Sequence, residues 1–476
     1  MKITTSFIIV FLSAITVRAQ YASEYIKLLS HWDSSGAPAE PIYDIRYSSC
    51  WGYSDPVKAK KYGIIGSSMG THFIEITDPS KPVQRDYVAG RRDNCIWREY
   101  KTYKNFLYMV SDDQAPNSLQ IADLSYLPDS VNIIHDSDSI LQRAHTVFIE
   151  GDNLYCASVK GGSVGSATMA VFDLWENPGK PKLLRKLNDD YPGLVGHVHD
   201  MFVRNDTVYA SCGFDGLYIF RFENRSKFVQ IGSFTGYPRG GYNHSSVLTP
   251  DGNYLIFADE VPRSLPVKVL DVTDFSNLTI TDTIVTRPGT YPGSTPHNPF
   301  MKGNVLFISA YLDGVYSYSM NDPLNPKQVG FFDTYPQNGN NYPDDNVYQG
   351  CWSVYVDYQE DIIIASDMTN GMFVLDVSLA MPVSETEIKK NGYVFKVSNL
   401  LINNYANLLI ESPENESIEY EWKDILGKNI AIGKINLQKG TNHSSISVPQ
   451  TISSGIYLLN LRSEKVSTVV KMVKAP

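Results

Sequence analysis

Short runs of alternating apolar and polar residues, separated by glycine, asparagine and aspartate, fill most of the chain up to residue 378. Residues 199–203, 207–211, 217–222 and 228–232 show the pattern most clearly. A period of two residues indicates half-buried β-strands, and short gaps that contain glycine or asparagine indicate tight turns. This stretch therefore predicts four consecutive antiparallel strands.

The same plan recurs seven times between residues 50 and 378. Each unit opens with a histidine or cysteine and closes on an apolar segment that usually ends in aspartate. Strand repeats of this length are typical of β-propellers, in which equivalent residues surround one axis. The repeat therefore predicts an all-β protein with a seven-bladed β-propeller. The opening residues, spaced by 45 to 54 positions, are Cys50, Cys95, His145, His199, His244, His297 and Cys351.

The seventh unit lacks a fourth strand, because its third strand ends near residue 378. Residues 26–31 have the apolar pattern of the fourth strands in other units. We therefore expect this N-terminal segment to complete the last blade, which would hide a strand edge that is otherwise exposed. The predicted propeller spans residues 20–378.

The first residues predict a signal peptide over residues 1–19. Lys2 supplies the positive end, residues 7–15 the apolar core and residues 17–19 a small-residue cleavage site. The apolar run is too short to cross a bilayer, and no other segment approaches a transmembrane span. We expect a secreted or cell-surface protein. Its 51 acidic and 41 basic side chains, a net charge of −10, argue against nucleic-acid binding.

The C-terminal part has a different organisation. Residues 379–393 are polar and rich in lysine and glutamate, which predicts a linker. Residues 394–476 contain six short alternating runs, which predict a small β-sandwich.

The C-terminal segment contains Asp424-Ile-Leu-Gly427-Lys428 and, further on, Gly455-Ile-Tyr457. With these residues it resembles the sorting domain of the bacterial type IX secretion system. The resemblance implies that the type IX machinery is a partner. The structural alternative is a generic sandwich that packs on the propeller. Residues 402–404 read Ile-Asn-Asn where the family usually has Pro-Asn-Pro. The residues of the sorting motif are Asp424, Gly427, Lys428, Gly455 and Tyr457.

The repeat region contains His145, His199-Asp200, His297-Asn298 and Gly350-Cys-Trp352-Ser353 in this order. With these and further matching residues it resembles the choice-of-anchor B family, which is built from repeats of the LVIVD type. This resemblance implies fold and location but no reaction. The chain departs from the family's pattern at Glu99, where an aspartate is usual, and at Thr146, where an asparagine is usual. The matching residues are 51–53, 97–99, 145, 199–200, 244, 259–260, 297–298 and 350–353.

Four histidines open four consecutive units, and we expect them to surround one end of the central channel. Imidazoles with a carboxylate suit a divalent metal ion or a small ligand. The structural alternative is that each ring bonds a backbone carbonyl of the next blade and holds the ring of blades together. The candidate channel-face residues are His145, His199, Asp200, His244, Asp259, Glu260, His297 and Asn298.

Two further sets of residues are candidates. Trp51, Trp97 and Trp352 belong to neighbouring units once the ring closes, and would either stack on a sugar or peptide or pack between blades. Cys50, Cys95 and Cys351 occupy matching positions in the same units. In an exported chain they are candidate disulfide cysteines, with buried free thiols as the alternative.

The sequence favours a non-catalytic module that binds an extracellular glycan, peptide or protein. Residues 161–165 match the letters of the serine-hydrolase motif G-x-S-x-G, but they lie between two strands with no following helix, which predicts a hairpin loop. The alternative function is a metal-dependent extracellular hydrolase or lyase. It would use the four histidines, with Asp259 or Glu260 as acid and base.

Overall fold

The computed structural model describes residues 21–34, 36–113, 116–286, 295–338, 348–381, 388–397, 405–449, 452–453 and 455–474. Almost all of the regular secondary structure in the described residues is β-strand, as predicted. Their helices are one α-helical turn and two short 3₁₀ segments, at Leu187–Asp190, Leu124–Tyr126 and Pro336–Asn338. None of them is long and apolar enough to cross a membrane. The predicted signal peptide, residues 1–19, and residues 402–404 lie outside the described ranges.

The N-terminal strands are β1 (Ser23–Glu24) and β2 (Lys27–Trp32). Four four-stranded sheets follow along the chain, each from consecutive strands. Sheet 1 is β3 (Tyr47–Asp55), β4 (Lys60–Ser67), β5 (Gly70–Glu75) and β6 (Val83–Ala89). Sheet 2 is β7 (Arg98–Tyr103), β8 (Phe106–Ser111), β9 (Leu119–Asp123) and β10 (Asn132–Ser137). Sheet 3 is β11 (Val147–Glu150), β12 (Asn153–Gly161), β13 (Gly165–Asp173) and β14 (Lys182–Lys186). Sheet 4 is β15 (Asp200–Arg204), β16 (Thr207–Ser211), β17 (Leu217–Glu223) and β18 (Lys227–Phe234).

Three further sheets continue the series, and two of them take in the N-terminal strands. Sheet 5 is β19 (Asn243–Leu248), β20 (Tyr254–Asp259), β21 (Val267–Asp271) and β22 (Thr279–Ile284). Sheet 6 is β23 (Asn298–Lys302), β24 (Val305–Ser309), β25 (Val315–Ser319) and β26 (Lys327–Phe332), with β1 added on the β26 edge. Sheet 7 is β27 (Cys351–Tyr355), β28 (Ile362–Asp367) and β29 (Gly371–Asp376), with β2 antiparallel to β29. The pairing of β2 with β29 is the one predicted for residues 26–31, whereas the pairing of β1 was not predicted.

The seven sheets pack on one another in a closed cycle. Each of seven buried apolar clusters combines residues of two consecutive sheets, and one of them joins sheet 7 back to sheet 1. The first strands of successive sheets are in contact around the same cycle, including β27 with β3. Because both faces of a sheet are covered in this way, the inner strands are buried on both sides, as β5 and nearly all of β28 are.

The aspartate that closes several units has a local role in the turn after the third strand. Asp123, Asp271 and Asp376 each accept a hydrogen bond from the backbone N–H two residues further on. Such side-chain-to-backbone bonds satisfy donors that the strand ladder leaves unpaired. The repeated residue is therefore explained by turn geometry.

The C-terminal part contains two four-stranded antiparallel sheets that share one buried core around Trp422 and Leu459. Sheet 8 is β30 (Ile388–Lys390), β31 (Tyr393–Val397), β32 (Tyr405–Ser412) and β35 (Gly440–Ser447). Sheet 9 is β33 (Glu416–Asp424), β34 (Asn429–Leu437), β36 (Gly455–Arg462) and β37 (Ser467–Lys474).

The strands of sheet 8 begin at Ile388, inside the segment 379–393 that was predicted to be a linker. Strands β30 and β31 form a hairpin whose turn, Asn391-Gly392, has positive φ at both residues. This is the turn that a two-residue hairpin favours. The lysines of β30 are exposed, so this strand carries little apolar signal in the sequence.

Asp367, at the end of β28, is fully buried and gives a pH-dependent contribution to stability. Burial raises its pKa from 3.8 to about 6, although hydrogen bonds from Thr334, Asn370 and Thr369 oppose the shift. The folded state thus holds this proton more tightly than the unfolded chain. Its contribution is fully present below the unfolded pKa and is lost as the pH rises through the folded pKa.

We therefore expect the stability of Asp367→Asn to rise relative to wild type as the pH increases. The difference in unfolding free energy should change by roughly 2–3 kcal/mol in the variant's favour between about pH 4 and pH 7. Denaturant unfolding of both proteins across this range measures it. A difference that stays constant with pH would contradict the assignment.

Candidate functional site

Four histidines form a continuous arc, here called the histidine layer: His145, His199, His244 and His297. They lie at or just before the first strands of sheets 3 to 6, which brings them together although up to 152 residues separate them. Successive ring centroids are 4.1, 4.2 and 4.3 Å apart. Trp352 continues the arc at 4.1 Å from His297, and Trp97 stacks on Trp352 at 5.0 Å.

Two of the four rings make the backbone bond of the structural alternative. His199 Nδ1 lies 3.1 Å from the carbonyl oxygen of His244, and His297 Nδ1 lies 2.6 Å from that of Trp352. In both cases the carbonyl belongs to the next sheet, so these bonds tie neighbouring sheets together. The other ring nitrogen, Nε2, has no hydrogen bond to a described residue in either case.

The remaining two rings face carboxylates instead. His145 Nδ1 makes a 2.9 Å hydrogen bond to Asp112 Oδ2. His244 Nε2 lies 3.7 Å from Glu260 Oε2, which is longer than a hydrogen bond. His244 Nδ1 is buried without a hydrogen bond of good geometry to a described residue, although a backbone contact with His297 favours the charged form of the ring.

The surroundings of the four imidazoles shift their pKa values in different directions. Burial lowers the pKa of His244, and holds the pKa values of His199 and His297 well below the usual range. Burial also disfavours the charged form of His145, but the hydrogen bond and charge of Asp112 outweigh it, so its pKa is raised. The layer therefore presents three neutral imidazoles and one that gains a proton more readily.

Two cavities meet at the histidine layer. The mouth cavity, of about 430 Å³, has aromatic walls that include Tyr43, Trp97 and Tyr242, with Asp112 and Glu260 among its polar groups. The channel cavity, of about 370 Å³, is lined by the first strands of the seven sheets. The residues that line both are His145, His199, His244 and Trp352.

The structure distributes the predicted channel-face residues unequally. Glu260 lies in the mouth cavity, whereas Asp200 and Asn298 line the channel cavity. Burial raises the pKa of Asp200. Asp259 lines neither cavity. Its carboxylate forms a fully buried ion pair with Lys268 and accepts a hydrogen bond from Tyr237.

The expected tryptophan sector is split. Trp97 and Trp352 stack in the mouth cavity. Trp51 lines the channel cavity instead, where its indole N–H donates to Thr102 and Lys101 lies over its ring at 4.1 Å.

All five cysteines are buried free thiols. Of the two alternatives left open by the sequence, no disulfide joins Cys50, Cys95 or Cys351 in the structure. Burial raises the pKa of Cys50 to about 12 and that of Cys351 well above its usual value. Thiols of this kind are inert core groups. The G-x-S-x-G letters form the predicted hairpin loop, in which Gly161 pairs with Gly165.

Several mouth residues were not anticipated, among them Asp112, Tyr43, Tyr348 and Phe214. A signal for Asp112 exists in the repeat, because it directly follows the second strand of its unit, as Glu260 does. The aromatic residues come from connections between strands, where the repeat pattern carries no positional information.

The sorting-motif residues form one compact corner of sheet 9. Asp424 Oδ1 accepts hydrogen bonds from the backbone N–H groups of Leu426 and Lys428, both at 2.9 Å. Gly427 has φ +83°, which explains a glycine at this place. Tyr457, two residues after Gly455 on β36, pairs with Asp424 across the sheet.

Comparison with known proteins identifies this C-terminal segment. Residues 403–475 match the family described as a secretion system C-terminal sorting domain. The type IX sorting domain is thus confirmed, and it indicates export to the cell surface or secretion through that system. No curated protein matches the chain.

Several solved structures show a distant likeness to the chain. PorZ, a surface component of the type IX secretion system of Porphyromonas gingivalis, is 10% identical over 94% of this chain and 60% of its own, with a TM-score of 0.46. The periplasmic gluconolactonase PpgL of Pseudomonas aeruginosa is 11% identical over 81% of this chain and 97% of its own, with a TM-score of 0.48. The Cps50 (Swd1) β-propeller domain of Myceliophteria thermophila is 10% identical over 74% of this chain and 100% of its own, with a TM-score of 0.48.

Proposed function

We propose that sheets 1 to 7 are the blades of a seven-bladed β-propeller closed by β2, and that sheets 8 and 9 are a β-sandwich. The closed cycle of apolar clusters supports the first assignment, and the shared core of the C-terminal sheets supports the second. The propeller has the residue pattern of the choice-of-anchor B family. Residues 1–19 act as the signal peptide that precedes type IX export.

The function that the geometry supports best is a non-catalytic module, secreted or surface-bound, that binds an extracellular glycan in the mouth cavity. The observation that carries this proposal is the aromatic wall around a polar floor in a cavity of about 430 Å³. Ligand sites commonly combine a largely apolar, aromatic lining with a few placed polar groups, in cavities of about 300–1,000 Å³.

A sugar ring has one face of C–H groups and an edge of hydroxyl groups, and the cavity offers a partner for each. Trp97 and Tyr43 supply flat aromatic surface, and Phe214 is 74% exposed. Asp112 and Glu260 supply carboxylate oxygens, which accept hydrogen bonds from hydroxyl groups. A binding experiment could instead identify a peptide or a protein as the ligand.

A glycan array probed with the mature protein tests this proposal, with Trp97→Ala and Trp175→Ala as a matched pair. Trp175 is 67% exposed and is not among the residues of the mouth cavity. We expect binding to a small set of oligosaccharides, weakened at least about tenfold in Trp97→Ala and unchanged in Trp175→Ala. Melting curves check that both variants fold. Binding of no glycan, or equal binding by both variants, would overturn the proposal.

A second candidate is the metal-dependent hydrolase or lyase, which the proximity of His244, Glu260 and His297 favours. This candidate requires a bound metal ion and turnover of the ligand. Analysis of the array-positive oligosaccharide for cleavage products separates it from the binding module.

A further inference from the structure

Three potential metal ligands converge at the boundary of the mouth and channel cavities. One nitrogen of His244, one nitrogen of His297 and one carboxylate oxygen of Glu260 all lie within 4.8 Å of one another. His244 belongs to β19 and Glu260 directly follows its partner strand β20, so one hairpin positions both. His297 directly precedes β23 of the next sheet.

Bonds on the far side of two of these groups fix their orientation. Tyr311 donates a hydrogen bond to Glu260 Oε1 at 2.7 Å, which leaves Oε2 directed towards His244. His297 Nδ1 bonds the Trp352 carbonyl at 2.6 Å, and no described residue makes a hydrogen bond to its Nε2. Histidines that bind metals usually use the second ring nitrogen in this way, and the bond sets both tautomer and orientation.

The separation of His244 Nε2 and Glu260 Oε2, 3.7 Å, fits two ligands of one ion better than it fits a hydrogen bond. Ligands about 2.0–2.1 Å from a tetrahedral ion lie roughly 3.3 Å apart. His244 is also 4% exposed, and its Nε2 has no hydrogen bond to a described residue. A buried ring nitrogen without a partner is costly, and an ion bound between His244 Nε2 and Glu260 would remove the cost at that nitrogen.

The other histidine–carboxylate pair of the layer behaves differently. His145 and Asp112 approach to 2.9 Å and hydrogen-bond directly. In that pair the histidine and the carboxylate satisfy each other by a direct hydrogen bond. It therefore provides an internal control in the same cavity.

We propose that His244, Glu260 and His297 bind one divalent first-row transition metal ion, with Zn²⁺ as the favoured ion. Two imidazoles and a carboxylate are a ligand set that zinc and related borderline ions accept. Three protein ligands leave at least one position open. Because His244 and Glu260 line the mouth cavity, that position faces the space in which a ligand would bind. The metal site does not depend on the glycan proposal.

Zinc titration of the mature full-length chain, first treated with a chelator and then dialysed, tests the site. We expect one Zn²⁺ per chain by calorimetry and elemental analysis. Glu260→Gln should weaken the affinity at least about a hundredfold, because a charged ligand is lost while the Tyr311 bond is kept. Asp112→Asn, the matched control, should change the affinity by no more than about twofold.

Cobalt(II) added to the wild-type protein provides a readout that needs no variant. Visible absorption bands of a four- or five-coordinate ion support the site even if Glu260→Gln fails to fold. The proposal is overturned if the chelated wild type takes up no stoichiometric zinc or cobalt, or if both carboxylate variants lose the metal equally. Repeating the glycan array on chelated protein keeps the two questions separate, since each kind of binding can fail while the other persists.

Discussion

Deletion of residues 21–33 is expected to unfold the seven-sheet cycle rather than to trim one edge. Strand β2 supplies the outer ladder of sheet 7 by pairing with β29. The deletion also removes Ile26, which is 2% exposed in the cluster between sheets 6 and 7. Loss of such a side chain alone costs about 2–5 kcal/mol, and total domain stability is about 5–15 kcal/mol. We expect aggregation or a melting transition lower by at least about 10 °C.

A pair of single substitutions separates loss of burial from loss of chain length. Ile26→Ala should destabilise by about 2–5 kcal/mol in denaturant unfolding, whereas Ile42→Ala should change the free energy of unfolding by less than about 0.5 kcal/mol. Ile42 is 73% exposed, so the same change is made there without a core contact. An unchanged melting curve for the deletion variant would show that β2 does not close the cycle.

The repeated pattern predicted most of this architecture because each unit carries its own turn residues and its own apolar period. In the unit from residue 199 to 234 the four observed strands begin and end within about two residues of those predicted. The β2–β29 pairing was predictable because an incomplete unit and an unassigned strand occurred in one chain. The pairing of strand β1 was not predictable, since its two residues, Ser23 and Glu24, carry no apolar pattern.

The repeat also predicted that the four histidines would meet, because equivalent positions of consecutive units lie together. It could not predict which way neighbouring side chains point at a strand end. Asp259 ends β20 and turns to buried Lys268, whereas Glu260, one residue later, faces the mouth cavity. Adjacent residues of a strand point to opposite faces of the sheet. Which of the two faces the cavity depends on the register of strand pairing, which is set by tertiary structure.

The mouth cavity itself was not predictable beyond its floor. Tyr43 lies in the segment before β3 and Tyr348 in the connection before β27. These connections differ in length and composition among the units. Their residues therefore have no equivalent positions in other units from which their location could be predicted. The one missed residue with a usable signal is Asp112, which occupies the same place after the second strand as Glu260.

Removal of residues 388–476 is expected to abolish export while leaving the seven-sheet cycle folded. Residues 403–475 match the sorting domain that the type IX system handles. The core of sheets 8 and 9 is built only from residues of this C-terminal part, and the seven clusters of the cycle contain none of them. We expect the truncated protein in the cell envelope of a bacterium with a type IX system, with its extracellular or surface fraction reduced at least about tenfold.

Fractionation and immunoblotting measure this location, and a melting curve of the purified truncated protein shows whether it folds. The complementary experiment fuses residues 388–476 to a periplasmic reporter that carries its own signal peptide. The fusion should reach the outside, because the Asp424 turn and the paired strand of Tyr457 lie wholly within this segment. Asp424→Ala in the fusion removes the acceptor for the Leu426 and Lys428 N–H groups, so export should fall if the folded corner is what the system recognises. Export of the truncated chain at the level of the full chain would show that its route does not depend on the sorting domain.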